Sequence, residues 1–160
     1  MSKKLINNFK LNNIIRGKLI MYYEKFIDLK PKIFDVVKLA KEYMRDYDAL
    51  EKEYESKKDV DFMEEFDAFH DIESKQKLRN YLKSLTNDEI MILQTVMYIG
   101  RDERRKILES NFNYIFKQKF EVLGFELGKE IDRSAEISMM MSKSPLARYL
   151  IEGIGKLSYE

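Results

Sequence analysis

The sequence contains no cysteine and no tryptophan, and it has little proline, glycine or histidine. Its 160 residues include two prolines, six glycines and one histidine, His70. Without cysteine the chain cannot form disulfides, thiolate metal sites or a cysteine nucleophile. Few prolines and glycines disfavour a many-turned β-sandwich or barrel, and no apolar run approaches the ~18 residues of a membrane span. We therefore expect a helical cytoplasmic protein without a signal peptide, metal or cofactor.

Charge of one sign does not dominate, but the charges are segregated along the chain. The formal net charge is +1. Residues 1–27 carry six basic side chains and one acidic one, and residues 46–73 carry twelve acidic and three basic ones. Residues 74–106 carry eight basic and four acidic side chains. This pattern fits pairing within the molecule, two surfaces for charged partners, or ordinary solvated helix faces.

Apolar residues recur every three or four positions over most of the chain, which is the spacing of one helix face. We predict an all-α fold, a compact bundle of about six helices without a sheet. Pro31 is expected to begin a helix over residues 31–56, because a proline in the first turn needs no N–H. The apolar spacing over residues 33–54 keeps about three heptads, so this helix is a candidate for a homodimer contact. Packing within the monomer is the alternative.

Further helices are expected after position 60. Asp61 followed by Glu64 resembles a helix start. Thr86 and Glu89 form a capping box that predicts a helix over residues 86–99, closed by Gly100. We predict the remaining helices over 102–123, over 125–141 and after Pro145.

The charge pattern and the helix pattern together predict the domain organisation. Residues 1–28 are expected to form a basic, helical amino-terminal extension. Residues 29–160 are expected to form one all-α domain, with an acidic loop and helix segment near residues 51–73.

Three blocks occur in a set order, with an acidic stretch between the first two. They are PKIFDVVKLAKEYMRDYD at 31–48, NYLKSLTNDEIMILQTVMYIGRDE at 80–103 and SPLARYLIEGIGKLS at 144–158. Over about residues 29–160 the chain thereby resembles a family of small bacterial proteins catalogued only as domain of unknown function thirty-seven seventy-five. That family carries the blocks L-N-E-D-E-x-x-E-L-x-A-L-x-W-L-G-R-G-D and P-L-L-x-x-Y-L-E-E-G. The resemblance implies a helical fold and no activity.

The chain departs from this family pattern at several positions. Tyr98 stands in place of the tryptophan, and the glycine between Arg101 and Asp102 is missing. In the terminal block, Ala147 replaces the second leucine and Ile151 the first of two acids. These departures favour a purpose different from that of other members, for instance in a mobile element.

Enzymatic constellations are sparse in the sequence. Asp67 and His70 are spaced for two metal ligands on a helix, but a site needs more ligands and no second histidine exists. A hydrogen-bonded surface histidine is the favoured interpretation. No phosphate loop, nucleophile elbow or dinucleotide motif is present. We therefore predict that the chain is not an enzyme.

A basic cluster is the best candidate site, and it consists of Arg101, Arg104, Arg105 and Lys106. We expect it to begin a helix, which would place Arg101 and Arg105 one turn apart. Arginine side chains bind carboxylates and phosphates in a bidentate manner. The cluster can therefore pair with the chain's own acidic segment, with a protein or with nucleic acid. Further partner-binding candidates are the basic residues of the amino-terminal segment, namely Lys3, Lys4, Lys10, Arg16 and Lys18.

We predict a small non-enzymatic protein-interaction module that binds through charge-segregated helix faces. An inhibitor or regulator of a bacterial complex, encoded by a phage or mobile element, is one such role. The alternative is a nucleic-acid-binding regulatory protein that uses the amino-terminal basic residues and the cluster at 101–106.

Overall fold

Seven helices and no strand make up the part of the chain that the structure describes. This computed structural model describes the backbone of residues 3–143 and 145–158, and the side chains of residues 22–143 and 145–158. About 78% of the chain is helical. The all-α fold predicted from the sequence is thus confirmed, with a count of helices close to the expected six.

The helices follow one another without any intervening sheet. They are α1 (Lys3–Glu55), α2 (Phe62–His70), α3 (Glu73–Ser84), α4 (Asn87–Asp102), α5 (Glu109–Val122), α6 (Arg133–Met141) and α7 (Leu146–Leu157). Helix α4 lies at the centre and contacts α1, α5, α6 and α7, whereas α2 contacts α1.

Helix α1 continues through Pro31, so the prediction that a helix begins there is wrong. A proline inside a helix removes the hydrogen bond to the carbonyl four residues earlier, which belongs to Ile27. Pro31 and Ile27 both lie on the exposed side of α1, where water can satisfy that carbonyl. Leu29 and Ile33 are buried on the opposite side and hold the helix against the core on either side of the proline.

Helix α4 begins as the capping box predicts. The Glu89 N–H donates to Thr86 Oγ1 at 3.1 Å, and the Thr86 N–H donates to Glu89 Oε1 at 3.0 Å. All residues from 90 to 100 are buried. The helix does not close at Gly100, however, but runs on to Asp102.

Gly100 serves close packing between α4 and α7 rather than helix termination. A Cβ at Gly100 would lie 1.8 Å from the backbone oxygen of Tyr149, and a Cβ at Gly153 would lie 2.2 Å from that of Val96. Each helix thus offers a glycine to the backbone of the other. These two glycines allow α4 and α7 to approach more closely than any side chain permits.

Aromatic side chains fill the core between α1 and α5. Phe112 and Phe116 stack with ring centroids 5.7 Å apart, and Tyr22 and Phe26 of α1 pack on them at 5.6 and 5.8 Å. Phe26 is fully buried. The core therefore includes α1 residues that precede position 29.

Two predicted helices are shorter than expected. The helix predicted over 102–123 begins only at Glu109, after a loop over residues 103–108. The helix predicted over 125–141 begins only at Arg133. Gly124 and Gly128 adopt φ angles of +80° and +79°, a left-handed conformation that interrupts a right-handed helix and that glycine adopts without strain.

The apolar run over residues 33–54 is partly covered by the chain itself. Ile33, Val37 and Ala40 belong to the buried core, and Tyr54 packs on Phe69 of α2. This coverage favours packing within the monomer for the first half of the run. A homodimer through this run stays a prediction.

Candidate functional site

An open groove of about 950 Å³ runs between the carboxyl-terminal half of α1 and α7. Its apolar lining consists of Met44, Ala49, Pro145, Ala147 and Ile151. Its charged lining consists of the basic residues Lys41, Arg45, Lys52 and Arg148 and the acidic residues Asp48 and Glu152. The groove thus joins an apolar surface to a charged border in which basic side chains are in excess.

Helix periodicity explains how α1 contributes to this groove. Positions 41, 45, 48 and 52 are separated by three or four residues, so their side chains share one face of α1. None of the ion pairs between described side chains involves Lys41, Arg45 or Lys52, and Arg148 lies 3.8 Å from Glu152 in a loose pair. Most basic side chains of the groove are therefore available to a partner.

The size of the groove suits a segment of helix. Its α1 side extends from Lys41 to Lys52, which is about 17 Å along the helix axis at ~1.5 Å per residue. This length corresponds to about three turns of a partner helix.

A second unusual surface is α2, which lies within the acidic segment predicted near residues 51–73. None of its nine residues is buried. Phe62, Met63 and Phe66 are 73%, 58% and 55% exposed, which is rare for large apolar side chains outside binding surfaces. Asp61 caps the helix, since its carboxylate accepts a hydrogen bond from the Met63 N–H at 3.1 Å.

Helix α2 is attached to α1 through one aromatic residue. The Phe69 ring lies 5.0 Å from that of Tyr47 and 5.8 Å from that of Tyr54. Phe62 and Phe66 stack on each other, with centroids 6.4 Å apart, outside this cluster. Attachment through Phe69 thus leaves Phe62, Met63 and Phe66 exposed to solvent, with acidic side chains around them.

The acidic segment does not pair with the basic cluster in the described part of the chain. Its ion pairs are local: Lys57 Nζ lies 3.3 Å from Glu53 Oε1, and Lys77 Nζ lies 3.3 Å from Glu73 Oε1. The His70 ring and the Asp71 carboxylate are hydrogen-bonded neighbours, with Nδ1 3.0 Å from Oδ1. Among the described residues, no group of three or more histidine, aspartate or glutamate side chains is placed to hold a metal ion.

Three of the four residues of the basic cluster lie in the loop that follows α4, so the prediction that the cluster begins a helix is wrong. Arg101 is the penultimate residue of α4, and α4 ends where Glu103 adopts extended backbone angles of −81° and 124°. The Ile107 N–H then donates to the carbonyl of Lys156 at 3.1 Å, which fastens the loop to α7. Because residues 103–108 are not helical, Arg101 and Arg105 are not one helical turn apart.

The four basic residues of the cluster differ in what surrounds them. Arg101 Nε donates to Asp102 Oδ1 at 2.6 Å, and the guanidinium lies 4.5 Å from the centre of the Tyr98 ring. The Arg101 hydrogen bond, with help from Lys119, holds the pKa of Asp102 below its ordinary value. The other three are exposed, and no ion pair within the described part of the chain involves them: Arg104, Arg105 and Lys106.

The amino-terminal candidates lie on α1, whose backbone begins at Lys3. The side chains of these candidates lie outside the part of the chain whose side chains the structure describes. The candidates are Lys3, Lys4, Lys10, Arg16 and Lys18. Their role as partner-binding residues stays a prediction.

Polar contacts hold α1 against the start of α4. The residues that make these contacts do not line the groove between α1 and α7. Lys32 Nζ donates to Glu89 Oε2 at 2.6 Å. Burial alone would raise the pKa of Glu89, but hydrogen bonds from Lys32 and from Thr86 outweigh it, so the pKa is lowered. Burial and the 2.9 Å hydrogen bond to Asp35 raise the pKa of Tyr81 to about 12.

The sequence alone does not predict the groove, although it does show the charged positions on the α1 side. The charged positions 41, 45, 48 and 52 lie on one helix face, beside the apolar run that we interpreted as a dimer contact. No sequence pattern indicates that α7 packs beside this face, and without α7 there is no groove.

Comparisons with known proteins add no relative. No family model matches the chain, and neither the curated proteins nor the solved structures contain a significant match. The resemblance to domain of unknown function thirty-seven seventy-five therefore stays a prediction. Within the described part of the chain, no helix has the length and apolarity required to cross a membrane.

Proposed function

We propose that this chain is a non-enzymatic protein-interaction module that binds an acidic amphipathic helix of a partner in the groove between α1 and α7. The observation that carries the proposal is the groove itself, with its apolar lining and its excess of basic side chains. Binding of an amphipathic helix in an apolar groove is a common mode of peptide recognition.

The composition of the groove specifies the partner's chemistry. Met44 and Ile151 would contact apolar side chains spaced three or four residues apart on the partner helix. Arg45 and Arg148 on opposite sides of the groove would pair with carboxylates that flank those side chains. Because such rim pairs are exposed, they contribute about 0.2–1 kcal/mol each and are weakened by salt. The complex should therefore weaken as ionic strength rises.

A partner that belongs to a bacterial complex would make the chain an inhibitor or regulator of that complex, as predicted from the sequence.

The loop over residues 103–108 supports a second candidate function, which is nucleic-acid binding. Arg104, Arg105 and Lys106 are exposed there and can contact a phosphate backbone. Nucleic-acid binding through this loop is the alternative to the binding of a partner helix in the groove.

A charge-reversed groove tests the proposed function. The variant R45E/R148E changes two exposed groove residues, and K83E/K129E makes the same change of charge at exposed positions away from the groove. Each variant and the wild type serve as bait in a lysate of the organism that encodes the chain, and circular dichroism verifies that each is folded. We expect a specific protein to be captured by the wild type and by K83E/K129E but lost from R45E/R148E. Equal capture by all three baits would contradict the proposal.

A further inference from the structure

The geometry points to a second copy of this chain as an occupant of the groove: we propose that α2 of one copy binds the α1–α7 groove of another. The inference rests on the proposed function, because it names a partner for the same site. It also gives a purpose to Phe62, Met63 and Phe66, each of which is more than half exposed.

Helix α2 has the chemistry that the groove requires. Phe62 and Phe66 are one helical turn apart, and Met63 lies beside them, so the three exposed apolar side chains form one patch. Acidic residues flank this patch along α2 and its two ends, namely Asp59, Asp61, Glu64, Glu65, Asp67 and Asp71. An apolar patch flanked by carboxylates matches an apolar groove bordered by basic side chains.

The dimensions of the two surfaces also agree. With nine residues, α2 is about 14 Å long at ~1.5 Å per residue. The α1 side of the groove extends from Lys41 to Lys52, which is about 17 Å along the helix axis. The apolar patch from Phe62 to Phe66, which is about half of α2, therefore fits well within the length of one groove.

The groove of the same chain is out of reach of its own α2. Phe69 holds α2 against Tyr47 and Tyr54. Because successive residues turn by about 100° around a helix, positions 41, 45, 48 and 52 point at least about 100° away from Tyr47. Helix α2 would have to leave its aromatic contacts to enter that groove. A second copy would instead receive Phe62 and Phe66 at the start of α2, while Phe69 at its end stays on Tyr47 and Tyr54.

Engineered cysteines can test this contact, because the natural chain has none. Met63→Cys places a thiol on α2, and Ala49→Cys places one in the groove. The two variants are mixed and oxidised, and the mixed disulfide dimer is quantified by mass spectrometry. Val122→Cys, at an exposed position of α5 (77% exposed), replaces Ala49→Cys in the control mixture.

We expect several-fold more mixed dimer from M63C with A49C than from M63C with V122C. The excess should disappear when the A49C chain also carries R45E/R148E. Equal yields in all mixtures would overturn the inference, and so would a disulfide that forms within a single dilute chain carrying both cysteines.

Sedimentation of the full chain without cysteines gives a second readout. The wild type should associate reversibly with rising concentration, and F62S/F66S should remain a monomer. A wild-type chain that is monomeric at all concentrations, or association unaffected by F62S/F66S, would overturn the inference. If such a monomer still loses its captured protein on R45E/R148E substitution, the proposed function stands without self-association. If the wild type neither associates with itself nor captures a protein through the groove, the two proposals fail together.

Discussion

Helix α4, which packs on α7, and the short helix α2 both carry apolar side chains at helical spacing. These side chains are buried in α4 and mostly exposed in α2. In α4, every residue from 90 to 100 is buried, and Gly100 lets the α7 backbone approach. In α2 no residue is buried, although apolar residues make up as large a fraction of α2 as of α4. The spacing defines a face in both helices, and only a neighbouring element determines whether that face becomes core.

This difference separates the part of the molecule that provides stability from the part that is free to bind. A buried phenylalanine contributes several kcal/mol through apolar area and close packing. An exposed one contributes little to folding, so its presence at a surface needs another explanation. Substitutions in the two regions should therefore differ in their effect on stability.

The largest effect is expected at Gly100. Gly100→Ala puts a Cβ 1.8 Å from the Tyr149 oxygen, so α4 and α7 must separate, and we expect a loss of about 4 kcal/mol or more or a failure to fold. Gly155→Ala is the matched control, because nothing lies within 4 Å of its Cβ position. It should stabilise α7 by about 0.5–1 kcal/mol. Urea unfolding followed by circular dichroism measures both; a tolerated Gly100→Ala would contradict the close approach.

Two phenylalanines compare the regions with one kind of substitution. Phe116→Ala removes a fully buried ring and should lower the free energy of unfolding by about 3–5 kcal/mol. Phe66→Ala removes a ring that is 55% exposed and should change it by less than about 0.5 kcal/mol. Thermal or urea unfolding at a concentration where the chain is monomeric gives both values. Similar losses for the two variants would show that α2 belongs to the core.

A smaller, pH-dependent effect is expected at Glu89, which is 21% exposed beside Lys32. Glu89→Gln keeps the capping geometry and removes the charge, at a cost of about 0.5–1 kcal/mol near pH 7. Because the folded-state pKa lies below the ordinary 4.5, this stabilisation is present above pH 4.5 and is lost as pH falls through the folded-state pKa. Unfolding of wild type and variant from pH 7 to pH 3 should converge at the acid end. A difference that is independent of pH would mean that the charge of Glu89 contributes nothing.

The smallest effect is expected at the basic loop. The variant R104A/R105A/K106A spares Arg101, which is bound to Asp102, and should leave the helical spectrum unchanged. If the proposed function holds, wild type and variant both bind generic DNA and RNA weakly at physiological salt. A nucleic-acid function would instead give tight binding whose salt slope falls by roughly 2–3 in the variant. Filter binding or fluorescence anisotropy over a range of salt concentrations distinguishes these results.

The fold class was predictable because local signals agree over long stretches. The Thr86 and Glu89 side chains satisfy the backbone at the start of α4, an arrangement that lies within four consecutive residues. The apolar spacing of α5 places Phe112, Phe116 and Phe120 on one face, and such spacing is visible without any tertiary knowledge.

The errors arose where tertiary contacts override local signals. Pro31 lies inside α1 because buried neighbours compensate for one lost hydrogen bond. Gly100 resembles a helix end, yet α7 requires a glycine there. The groove depends on the position of α7, and the exposure of Phe62 and Phe66 depends on the absence of a cover. Neither property is encoded in the spacing of the residues concerned.

The most direct test of the account is whether the groove binds an acidic amphipathic helix. A fluorescently labelled peptide with the sequence of residues 59–71 is titrated with the F62S/F66S chain, whose own α2 does not compete. Fluorescence anisotropy gives the affinity, and the same chain carrying R45E/R148E is the comparison. We predict saturable binding that R45E/R148E weakens by about tenfold or more, in line with two lost charge pairs and new repulsion. Equal affinity for both chains, or no binding at millimolar concentration, would contradict the claim that α2 binds in the groove.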